Sequence, residues 1–507
     1  MKGALLVAGT HSDAGKSVVT AGICRWLARQ GVRVAPFKAQ NMALNSVVTR
    51  DGAEIGRAQW AQAAAAGVEP EAAMNPVLIK PSGERHSQVI VMGKPYADAD
   101  ARSYREMKHE LRPLVAEALA GLRERFDVVI CEGAGSPAEV NLRDADLTNM
   151  WLAREAGMAA IVVADIDRGG VFASLFGTLA LLDPQDQSHV GGFVINKFRG
   201  DGSILAPGLG TLEERSGRPT LGVLPYVEDL WLDVEDSLAL EGRRAEAPTD
   251  GDTIDVAVLR LRWISNFTDA DALAAEPGVR VRFTTSPADV ERADLLVIPG
   301  TKATVEDLER LRAAGLDAAL RRRAEAGRPI LGICGGYQLL GERVEDAVES
   351  RRGTVTGLGL LPVRTRFAPE KLLRWRSGRS ALLGSEAGGY EIRHGRVTRL
   401  GGEALLRADD GEPDGCIAGS VIGASWHGLL EHDGFRRALL ARVAEGCGRR
   451  FVPGATPFAE QRAARHDALG DLIGEHLDGE RLTRLIEGGP PPGLPTIETE
   501  VRTCCAS

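Results

Sequence analysis

The 507-residue sequence is poor in aromatic residues and in cysteine, with 5% aromatic side chains and 7 cysteines. Cysteines so few and so widely spaced do not make the disulfide framework of a small secreted protein. None of them forms a Cys-x-x-Cys pair, a common spacing in cysteine metal sites. No apolar run is long enough to span a bilayer, and Met1-Lys2 leads directly into a strand-like segment rather than a signal peptide. We therefore expect a cytoplasmic protein with no membrane among its partners.

The sequence also lacks an excess of positive charge, since its formal net charge is −9. This balance argues against nucleic acid as the main partner. A local basic cleft is still compatible with it, because several basic residues lie near motif-like stretches: Lys38, Lys80, Arg143, Arg168, Lys197 and Arg199. The apolar content of 44% is that of an ordinary globular protein. A chain of this length is expected to form two or three domains.

Strand-like and helical stretches alternate along two parts of the sequence, which predicts parallel sheets covered by helices on both faces. The first set of β-branched runs lies at Ala4–Ala8, Val32–Phe37, Val128–Cys131, Ala159–Ala164, Gly192–Asn196 and Leu221–Leu224. The second set lies at Asp255–Leu259, Val279–Phe283, Leu295–Ile298 and Ile330–Ile333. We predict a first α/β domain at 1–240, a polar linker at 241–253, a second α/β domain with a C-terminal helical extension at 254–487, and a flexible tail at 488–507.

A glycine-rich segment, Gly9-Thr-His-Ser-Asp-Ala-Gly15-Lys16-Ser17, separates the first strand from a predicted helix at Ser17–Arg29. Backbone N–H groups and a helix N-terminus in this arrangement are suited to phosphate. We expect Gly9, Thr10, Gly15, Lys16 and Ser17 to bind ATP, with the Ser17 hydroxyl on Mg²⁺. Five residues rather than four separate the two glycines, a longer variant that resembles the loop of dethiobiotin-synthetase-like ATP-dependent ligases. The alternative interpretation is an incidental glycine-rich turn.

A second metal contact is expected from an acid at the end of a neighbouring strand. Phe126-Asp-Val-Val-Ile-Cys-Glu132 ends in a carboxylate followed by glycine, and the carboxyl ends of parallel strands meet at one edge of a sheet. Glu132 is therefore the candidate Mg²⁺ ligand beside Ser17, and Asp51 is a weaker one. The alternative for Glu132 is a surface acid without a role.

Cys334 lies in Gly332-Ile-Cys-Gly-Gly-Tyr-Gln338, between a buried strand and a predicted helix. Glycines on both sides permit a sharp turn that exposes the sulfur, and the helix N-terminus favours the thiolate. The N–H of Gly335, with one from the loop at Gly300, could form an oxyanion hole. His427 follows another apolar run, Gly419–Ala424, and is the candidate base. The alternative for the thiol is an inert core cysteine, as we expect for Cys24, Cys131 and Cys416.

Over residues 1–485 the sequence resembles the cobyric acid synthases, the family of glutamine-dependent amidases that act late in cobalamin assembly. The stretches that carry the resemblance are Lys38–Ser46, Gly56–Gln59, Met74–Pro81, Ser87–Val91, Asn141–Asp144, Ala164–Phe172, Ile195–Gly200, Gly332–Gly336 and Gly389–Ile392. The resemblance implies an α/β fold, with an N-terminal P-loop, dethiobiotin-synthetase-like parallel sheet domain followed by a type-1 glutamine amidotransferase domain.

The resemblance also implies the reaction. Cys334 would release ammonia from glutamine, and MgATP would activate carboxylates of adenosylcobyrinic acid a,c-diamide for amidation at four positions, b, d, e and g. A polycarboxylate corrinoid gives a reason for basic clamps, and the candidates are Arg143, Arg168, Lys197 and Arg199. Two alternatives stay open: a cobyrinic acid a,c-diamide synthase, and a nucleotide-binding scaffold without catalysis.

The sequence departs from the expected pattern at two positions. Type-1 glutamine amidotransferases usually carry Glu two residues after the histidine, where this chain has Leu429. Cobyric acid synthases resemble this chain in lacking that acid, so the resemblance implies a Cys–His dyad, with Glu431 as a weak candidate to orient the imidazole. In Tyr390-Glu-Ile-Arg-His394-Gly395 the histidine is displaced by one position from the family pattern, which puts any role copied onto His394 in doubt.

Overall fold

A computed structural model describes residues 1–83, 86–228, 230 and 252–497. The strands of its first part are β1 (Gly3–Gly9), β2 (Val34–Phe37), β3 (Gln40–Met42), β4 (Ser46–Val48), β5 (Glu54–Gly56), β6 (Val77–Pro81), β7 (Ser87–Val91), β8 (Lys94–Ala99), β9 (Val128–Glu132), β10 (Ala159–Asp165), β11 (Val190–Phe198) and β12 (Thr220–Pro225). The helices are α1 (Lys16–Arg29), α2 (Arg57–Ala66), α3 (Ala101–Arg125), α4 (Met150–Ala156), α5 (Val171–Ala180), α6 (Pro184–Gln187) and α7 (Ala206–Ser216).

Six of these strands form a parallel sheet in the order β12-β11-β10-β1-β9-β2. They are the six strands predicted in the first part of the sequence, with slightly shifted ends, and α1 begins one residue before the predicted helix. Because the strands are parallel, Gly9, Glu132 and Asp165 end β1, β9 and β10 at the same edge of the sheet. The phosphate-loop candidates and Glu132 therefore share one edge.

Side chains alternate along β1, so that Leu6 and Leu5 enter different cores on opposite faces of the sheet. The Leu6 face is covered by α3, α4, α5 and α7, and the Leu5 face by α1. The Leu5 face also receives two C-terminal helices, α14 (Phe458–His476) and α15 (Gly479–Gly488), through Leu472, Ile473 and Leu485. The predicted helical extension thus forms two helices, and they complete the apolar cover of the first sheet rather than that of the second.

The second part of the chain contains β13 (Ile254–Leu259), β14 (Ile264–Ser265), β15 (Val279–Thr284), β16 (Leu295–Ile298), β17 (Gly300–Thr301), β18 (Ile330–Ile333), β19 (Arg343–Asp346), β20 (Gly353–Thr356), β21 (Val363–Ser380), β22 (Glu386–Arg399), β23 (Leu406–Ala408), β24 (Pro413–Asp414), β25 (Cys416–Ala418) and β26 (Val421–Ala424). Its helices are α8 (Asp269–Ala274), α9 (Pro287–Arg292), α10 (Thr304–Ala313), α11 (Leu316–Glu325), α12 (Gly335–Leu340) and α13 (Asp433–Gly446).

The second central sheet has the order β15-β13-β16-β18-β26-β25, parallel except for the edge strand β25. It contains the four strands predicted from Asp255 to Ile333. A long antiparallel hairpin of β21 and β22, which the sequence patterns did not predict, stands beside it. Val47 and Ile55 from the β4–β5 ribbon pack on Tyr390 and Ile392 of that hairpin. The two halves of the chain thus share an apolar contact.

The predicted linker lies outside the described residues except for its last two, so the division between the domains stays a prediction. The tail predicted at 488–507 stays a prediction, and within its described part Ile497 has backbone hydrogen bonds. Ile497 N donates to the Gln187 side chain at 2.8 Å, and Gln187 Nε2 donates to the Ile497 carbonyl at 3.1 Å. Within the described ranges, no helix combines the length and apolarity needed to cross a membrane.

Candidate active site

The glycine-rich segment turns sharply over the edge of the first sheet. Gly15 has φ 100°, and a Cβ at this position would lie 1.9 Å from Asn196 Nδ2, so both its backbone conformation and its surroundings require glycine. Thr10 N donates to the Val163 carbonyl at 2.9 Å, which fixes the start of the loop. Lys16 Nζ folds back over the loop and donates to the carbonyls of His11 (2.8 Å) and Gly135 (3.2 Å).

This loop fits a nucleotide phosphate chain on two counts. Lys16 lies at the start of α1, where N–H groups of the first turn lack helical partners. The buried Thr10 hydroxyl has no hydrogen-bond partner within the described part of the chain, which leaves a polar group available to a ligand. All five predicted ATP-binding residues therefore lie in one loop and the first turn of one helix, as the sequence pattern requires.

Glu132 lies beside this loop and is 1% exposed. Its Oε1 accepts hydrogen bonds from Ser17 Oγ and from Lys38 Nζ, both at 2.8 Å, and its Oε2 accepts one from Gln62. Burial alone would raise the pKa of this carboxyl, but the Lys38 ammonium and the three hydrogen bonds hold it below its ordinary value. A hydroxyl and an ionised carboxylate are the hard oxygen donors that Mg²⁺ prefers, so Ser17 and Glu132 fit the predicted metal.

Asp51 does not join this group. It lies in the turn between β4 and β5, where its carboxylate accepts a hydrogen bond from Thr49. The neighbouring Gly52 faces the Leu373 carbonyl of the β21–β22 hairpin, since a Cβ there would lie 3.5 Å from that oxygen. The weaker metal candidate is therefore wrong, because its turn packs on the second half of the chain rather than on the phosphate loop.

Cys334 occupies the turn between β18 and α12 with φ 51°, an unusual value for a residue other than glycine. Its N–H donates to the Ala424 carbonyl at 2.8 Å, which ties the turn to β26. The adjacent glycines are required by contact: a Cβ at Gly336 would lie 2.0 Å from the Ile298 carbonyl oxygen, and one at Gly335 would lie 2.7 Å from Thr301 N. The close approach of Gly335 to Thr301 brings the two loops of the predicted oxyanion hole together.

The thiol is not poised as a thiolate in this state. Cys334 is 7% exposed, and burial raises its pKa to about 11, against the opposite effects of Arg393 and of a hydrogen bond from the Gly335 N–H. The expected influence of the helix N-terminus is thus outweighed by desolvation. Its Sγ donates to the Ile392 carbonyl at 3.8 Å, and the structure gives it no hydrogen bond to His427 in the described ranges.

His427 follows β26 and lines the same pocket as Cys334. Its backbone exchanges two hydrogen bonds with Tyr390, at 2.8 and 2.9 Å, and the two rings lie 5.7 Å apart between centroids. A Cβ on Gly300 would lie 2.5 Å from His427 Cε1, so the imidazole packs directly against the predicted oxyanion loop. Burial, with smaller effects of Lys80 and Arg57, lowers the pKa of His427 to about 3. The structure therefore brings Cys334, His427, Gly300 and Gly335 together, with a neutral imidazole.

Comparisons with known proteins identify the family of each half of the chain. Residues 5–239 match the family model of the CobQ/CobB/MinD/ParA nucleotide binding domain, and residues 255–435 match that of the CobB/CobQ-like glutamine amidotransferase domain. A cobyric acid synthase of Frankia casuarinae is 58% identical over 522 residues, covering 98% of this chain and 99% of the relative. One of Streptomyces avermitilis is 59% identical over 505 residues, covering 98% and 99%. The chain belongs to the cobyric acid synthase family.

Membership of this family confirms the resemblance and the predicted fold class, a nucleotide-binding domain followed by a glutamine amidotransferase domain. The structure also shows the surroundings of Leu429, which stands where most type-1 glutamine amidotransferases are expected to carry an acid. In the described structure Leu429 is buried in the apolar core with Phe435 and Leu439. An acid at this position would need a polar partner that this core does not offer.

Glu431 does not replace the missing acid. Its carboxylate accepts hydrogen bonds from Arg57 Nη2 at 2.7 Å and from Arg462 Nη2 at 2.9 Å, and His427 Nδ1 has no hydrogen-bond partner among the described residues. The loop after His427 is held by Asp269, which accepts hydrogen bonds from Gly428 N (3.0 Å) and Leu430 N (2.8 Å). Burial and the nearby Glu431 raise the pKa of Asp269 to about 7. Sequence patterns offered no signal for Asp269.

His394 lines the glutaminase pocket despite its displacement in the family pattern. Its Nδ1 lies 3.0 Å from the Ala368 carbonyl, and burial lowers its pKa, so the imidazole is neutral near pH 7. It therefore contributes to the wall of the pocket and adds no charge there.

Three of the four predicted substrate clamps lie close to the phosphate loop. Lys197 Nζ lies 2.7 Å from Asp165 Oδ2 and donates to the Asp13 carbonyl at 3.1 Å. Arg168 approaches the Asp13 carboxylate at 3.7 Å. Arg199 pairs with Asp167 at 3.2 Å and lies 3.4 Å over the Tyr226 ring.

Arg143 differs from these three. Its guanidinium pairs with Asp183 and with the buried Asp186, which also pairs with Arg154. This arrangement binds α6 to the rest of the first domain, so the clamp role predicted for Arg143 has less geometric support than that of the other three.

Proposed function

We propose that this chain catalyses the ATP- and glutamine-dependent amidation of the b, d, e and g carboxylates of adenosylcobyrinic acid a,c-diamide, which gives adenosylcobyric acid. The observation that carries the proposal is that one chain holds both a strained Cys334 turn beside His427 and a phosphate loop beside Glu132. Full-length similarity to cobyric acid synthases supports the choice of substrate. ATP and glutamine are cytoplasmic metabolites, and we propose the cytoplasm as its location.

In the glutaminase half, Cys334 Sγ attacks the side-chain amide carbon of glutamine, and His427 carries the thiol proton to the departing nitrogen. Ammonia leaves and a glutamyl thioester forms. Backbone N–H groups of Gly335 and of the Gly300–Thr301 loop stabilise the oxyanion that precedes it. Water then cleaves the thioester, which releases glutamate and restores the thiol.

In the ligase half, a substrate carboxylate attacks the γ-phosphorus of ATP, ADP leaves, and an acyl phosphate forms. Ammonia attacks the acyl carbon and phosphate leaves, so one ATP and one glutamine are consumed for each amide. Lys16 neutralises charge on the transferring phosphoryl group, and Ser17 and Glu132 are the proposed metal ligands. Mg²⁺ bound there would neutralise phosphate charge.

The polycarboxylate substrate accounts for basic residues in an acidic chain. Arg168, Lys197 and Arg199 lie around Asp13, Asp165 and Asp167 near the phosphate loop, where a carboxylate must meet the γ-phosphate. Each of these cations already pairs with an acid, so substrate carboxylates would have to compete with protein carboxylates. We propose them as clamps and keep Arg143 as the weakest of the four.

A nitrogen-source experiment tests this function. Purified protein is given adenosylcobyrinic acid a,c-diamide and MgATP with either glutamine or ammonia, and the amides added are counted by mass. Cys334→Ala should lose glutamine-dependent synthesis while retaining ammonia-dependent synthesis, because the thiol serves only to release ammonia. Cys447→Ala, which removes an exposed cysteine, is the matched control.

Addition of four amides to the diamide would support the cobyric acid reaction. Amidation of cobyrinic acid at only two carboxylates would identify an a,c-diamide synthase instead. Failure of the wild-type protein to form any amide from either nitrogen source would contradict the proposal, since both half-sites would then lack their function.

A further inference from the structure

The pocket that contains Cys334 and His427 has an ionic side to which both halves of the chain contribute. Lys80, from β6 in the first half, lines this pocket together with Lys371, from β21 in the second. Both ammonium groups pair with Glu54: Lys80 Nζ lies 2.8 Å from Oε1, and Lys371 Nζ lies 2.5 Å from Oε2. The glutaminase pocket is therefore completed by residues of the ligase half.

This cluster of Glu54, Lys80 and Lys371 carries one positive charge in excess, since two ammonium groups share one carboxylate. Glu54 is 0% exposed, and the side chains of both lysines are 4% exposed. Burial lowers the pKa of Lys371 to about 8, which shows how poorly this charge is solvated, yet the group remains mainly protonated at pH 7. A buried charge without a partner is unfavourable and attracts an anion.

The other charged groups of this wall are already neutralised. Lys302 pairs with Glu349, and Arg393 donates to Glu391 through Nε at 3.0 Å. Glu391 is shared with Arg374 and Arg376, which also pair with Glu412 and Asp410, so these three arginines and three acids balance. The neighbouring His394 is neutral, as described above. The excess charge of the pocket wall therefore resides on Lys80 and Lys371.

The lysines also have donors left for a ligand. Lys80 Nζ donates to Ser46 Oγ and to Glu54, each at 2.8 Å, and an ammonium group has three N–H donors. Lys371 Nζ donates to Glu54 and, at 3.4 Å, to Gln88 Oε1. Among the described residues, one N–H on each lysine is thus uncommitted. Both lysines line the pocket in which Cys334 would meet the side-chain amide of glutamine.

We infer that Lys80 and Lys371 bind the α-carboxylate of glutamine, an inference that rests on the proposed function. The α-carboxylate lies at the end of glutamine remote from the side-chain amide that Cys334 attacks. A glutamine whose side-chain amide meets the thiol must place its carboxylate elsewhere in the same pocket, and the excess charge supplies the counter-ion. Because Lys80 belongs to the first half of the chain, glutamine binding then requires the assembled pair of domains.

The test measures glutamine hydrolysis and ammonia-dependent synthesis in the full-length protein carrying Lys80→Gln or Lys371→Gln. We expect the KM for glutamine to rise at least about tenfold in each variant, the loss expected for a hydrogen bond between charged groups. Ammonia-dependent synthesis should stay unchanged, which shows that the fold survives. Lys80→Arg should recover part of the affinity. Lys94→Gln, at an exposed lysine of β8 in the same sheet as Lys80, is the matched control.

Two competitive inhibitors separate a carboxylate subsite from a general effect on the pocket. Glutaramate keeps the amide and the carboxylate of glutamine but lacks the ammonium group, whereas 4-aminobutanamide keeps the amide and the ammonium group but lacks the carboxylate. In Lys80→Gln the inhibition constant of glutaramate should rise in parallel with the KM for glutamine. That of 4-aminobutanamide should change less than about twofold, since it has no carboxylate to lose a partner.

Equal weakening of both inhibitors would overturn the inference, because the lysines would then act on the thiol or on the shape of the pocket. Unchanged KM values in both variants would overturn it as well. A wild-type protein that neither hydrolyses glutamine nor forms amides would instead contradict the proposed function, so the two failures are distinguishable.

Discussion

Burial suppresses the ionisation of the Cys334 thiol, and this effect can be measured as a low rate of alkylation. With a pKa of about 11, the thiol is ionised to about one part in 10⁴ at pH 7. An exposed cysteine of pKa about 8.5 is ionised to a few per cent under the same conditions. Because only the thiolate is alkylated, we expect Cys334 in the free protein to react with iodoacetamide about 300-fold more slowly than an exposed cysteine at pH 7.

The dependence on pH follows from the same values. His427, with a pKa of about 3, stays neutral above pH 5 and offers no imidazolium to stabilise the thiolate. The alkylation rate of Cys334 should therefore rise about tenfold per pH unit from pH 7 to pH 10 and level off only near pH 11. The rate is measured by mass spectrometry of the peptide that contains Cys334, with a small free thiol in the same solution as the reference for the reagent.

A plateau of the rate near neutral pH would refute this reasoning, because it would mean that a thiolate–imidazolium pair already exists without substrates. The same assay tests activation. The Cys334 thiol hydrogen-bonds to Ile392 rather than to His427, so the dyad needs a rearrangement before proton transfer. We expect both alkylation and glutamine hydrolysis to accelerate when MgATP and the corrinoid are bound, and equal rates with and without them would show that the dyad is competent from the start.

Three substitutions extend the test to the nucleotide site and the interface. Lys16→Ala should abolish synthesis from glutamine and from ammonia while some glutaminase survives; retained ATP-dependent amidation would remove the phosphate-loop assignment. Glu132→Gln should raise the Mg²⁺ concentration needed for half-maximal synthesis, because a carboxylate ligand is lost, and an unchanged requirement would contradict its metal role. Arg57→Ala should lower the free energy of unfolding by about 2 kcal/mol in urea titrations, since Glu431 loses its hydrogen bond from the Arg57 guanidinium, and should lower glutaminase more than ammonia-dependent synthesis; Arg57→Lys is the conservative control.

The parts of the fold that depend on residues adjacent in the sequence could be predicted from the sequence. The parallel strands were predictable because fully buried strands such as Val128–Glu132 are short β-branched runs bounded by turn residues. The Cys334 turn and the phosphate loop were predictable because each needs glycine at fixed positions, where any side chain would collide with the opposite loop or with Asn196. In both cases the physical requirement acts on adjacent residues and therefore leaves a sequence signature.

The remaining features depend on contacts between distant residues, which leave no such signature. Lys80 lines the glutaminase pocket because the β4–β5 ribbon packs on the β21–β22 hairpin and Glu54 of β5 pairs with both Lys80 and Lys371. The sequence around Lys80 indicates neither contact. The sequence also predicted the helix α14, but it did not indicate that this helix packs on the first sheet. The thiolate expected at Cys334 was also not found, because the sequence indicated the helix N-terminus and gave no measure of burial.

The interface between the two halves of the chain offers a physical explanation for the absence of an acid at position 429. A glutaminase with a complete triad carries the group that orients its histidine within one domain. Here the loop after His427 is held by Asp269 from its own domain and, through Glu431, by Arg57 from α2 of the other. On the same helix Gln62 hydrogen-bonds Glu132 beside the phosphate loop.

The segment from Lys38 to Ser46 forms a second connection between Glu132 and the second half of the chain. Lys38, at the start of one family stretch, pairs with Glu132, while Ser46, at its end, receives a hydrogen bond from Lys80 and donates its N–H to Asn266 of the glutaminase pocket at 2.7 Å. We expect a nucleotide and Mg²⁺ at the proposed ligands Ser17 and Glu132 to disturb the hydrogen bonds of Lys38 and Gln62, because these groups share the same carboxylate. At the far ends of these two elements, Ser46 and Arg57 hydrogen-bond Asn266 and Glu431 of the second half of the chain, so a change at Glu132 can be transmitted toward the loop of His427 through them. We propose that these contacts across the interface, rather than a triad acid, make ammonia release dependent on the site that consumes it.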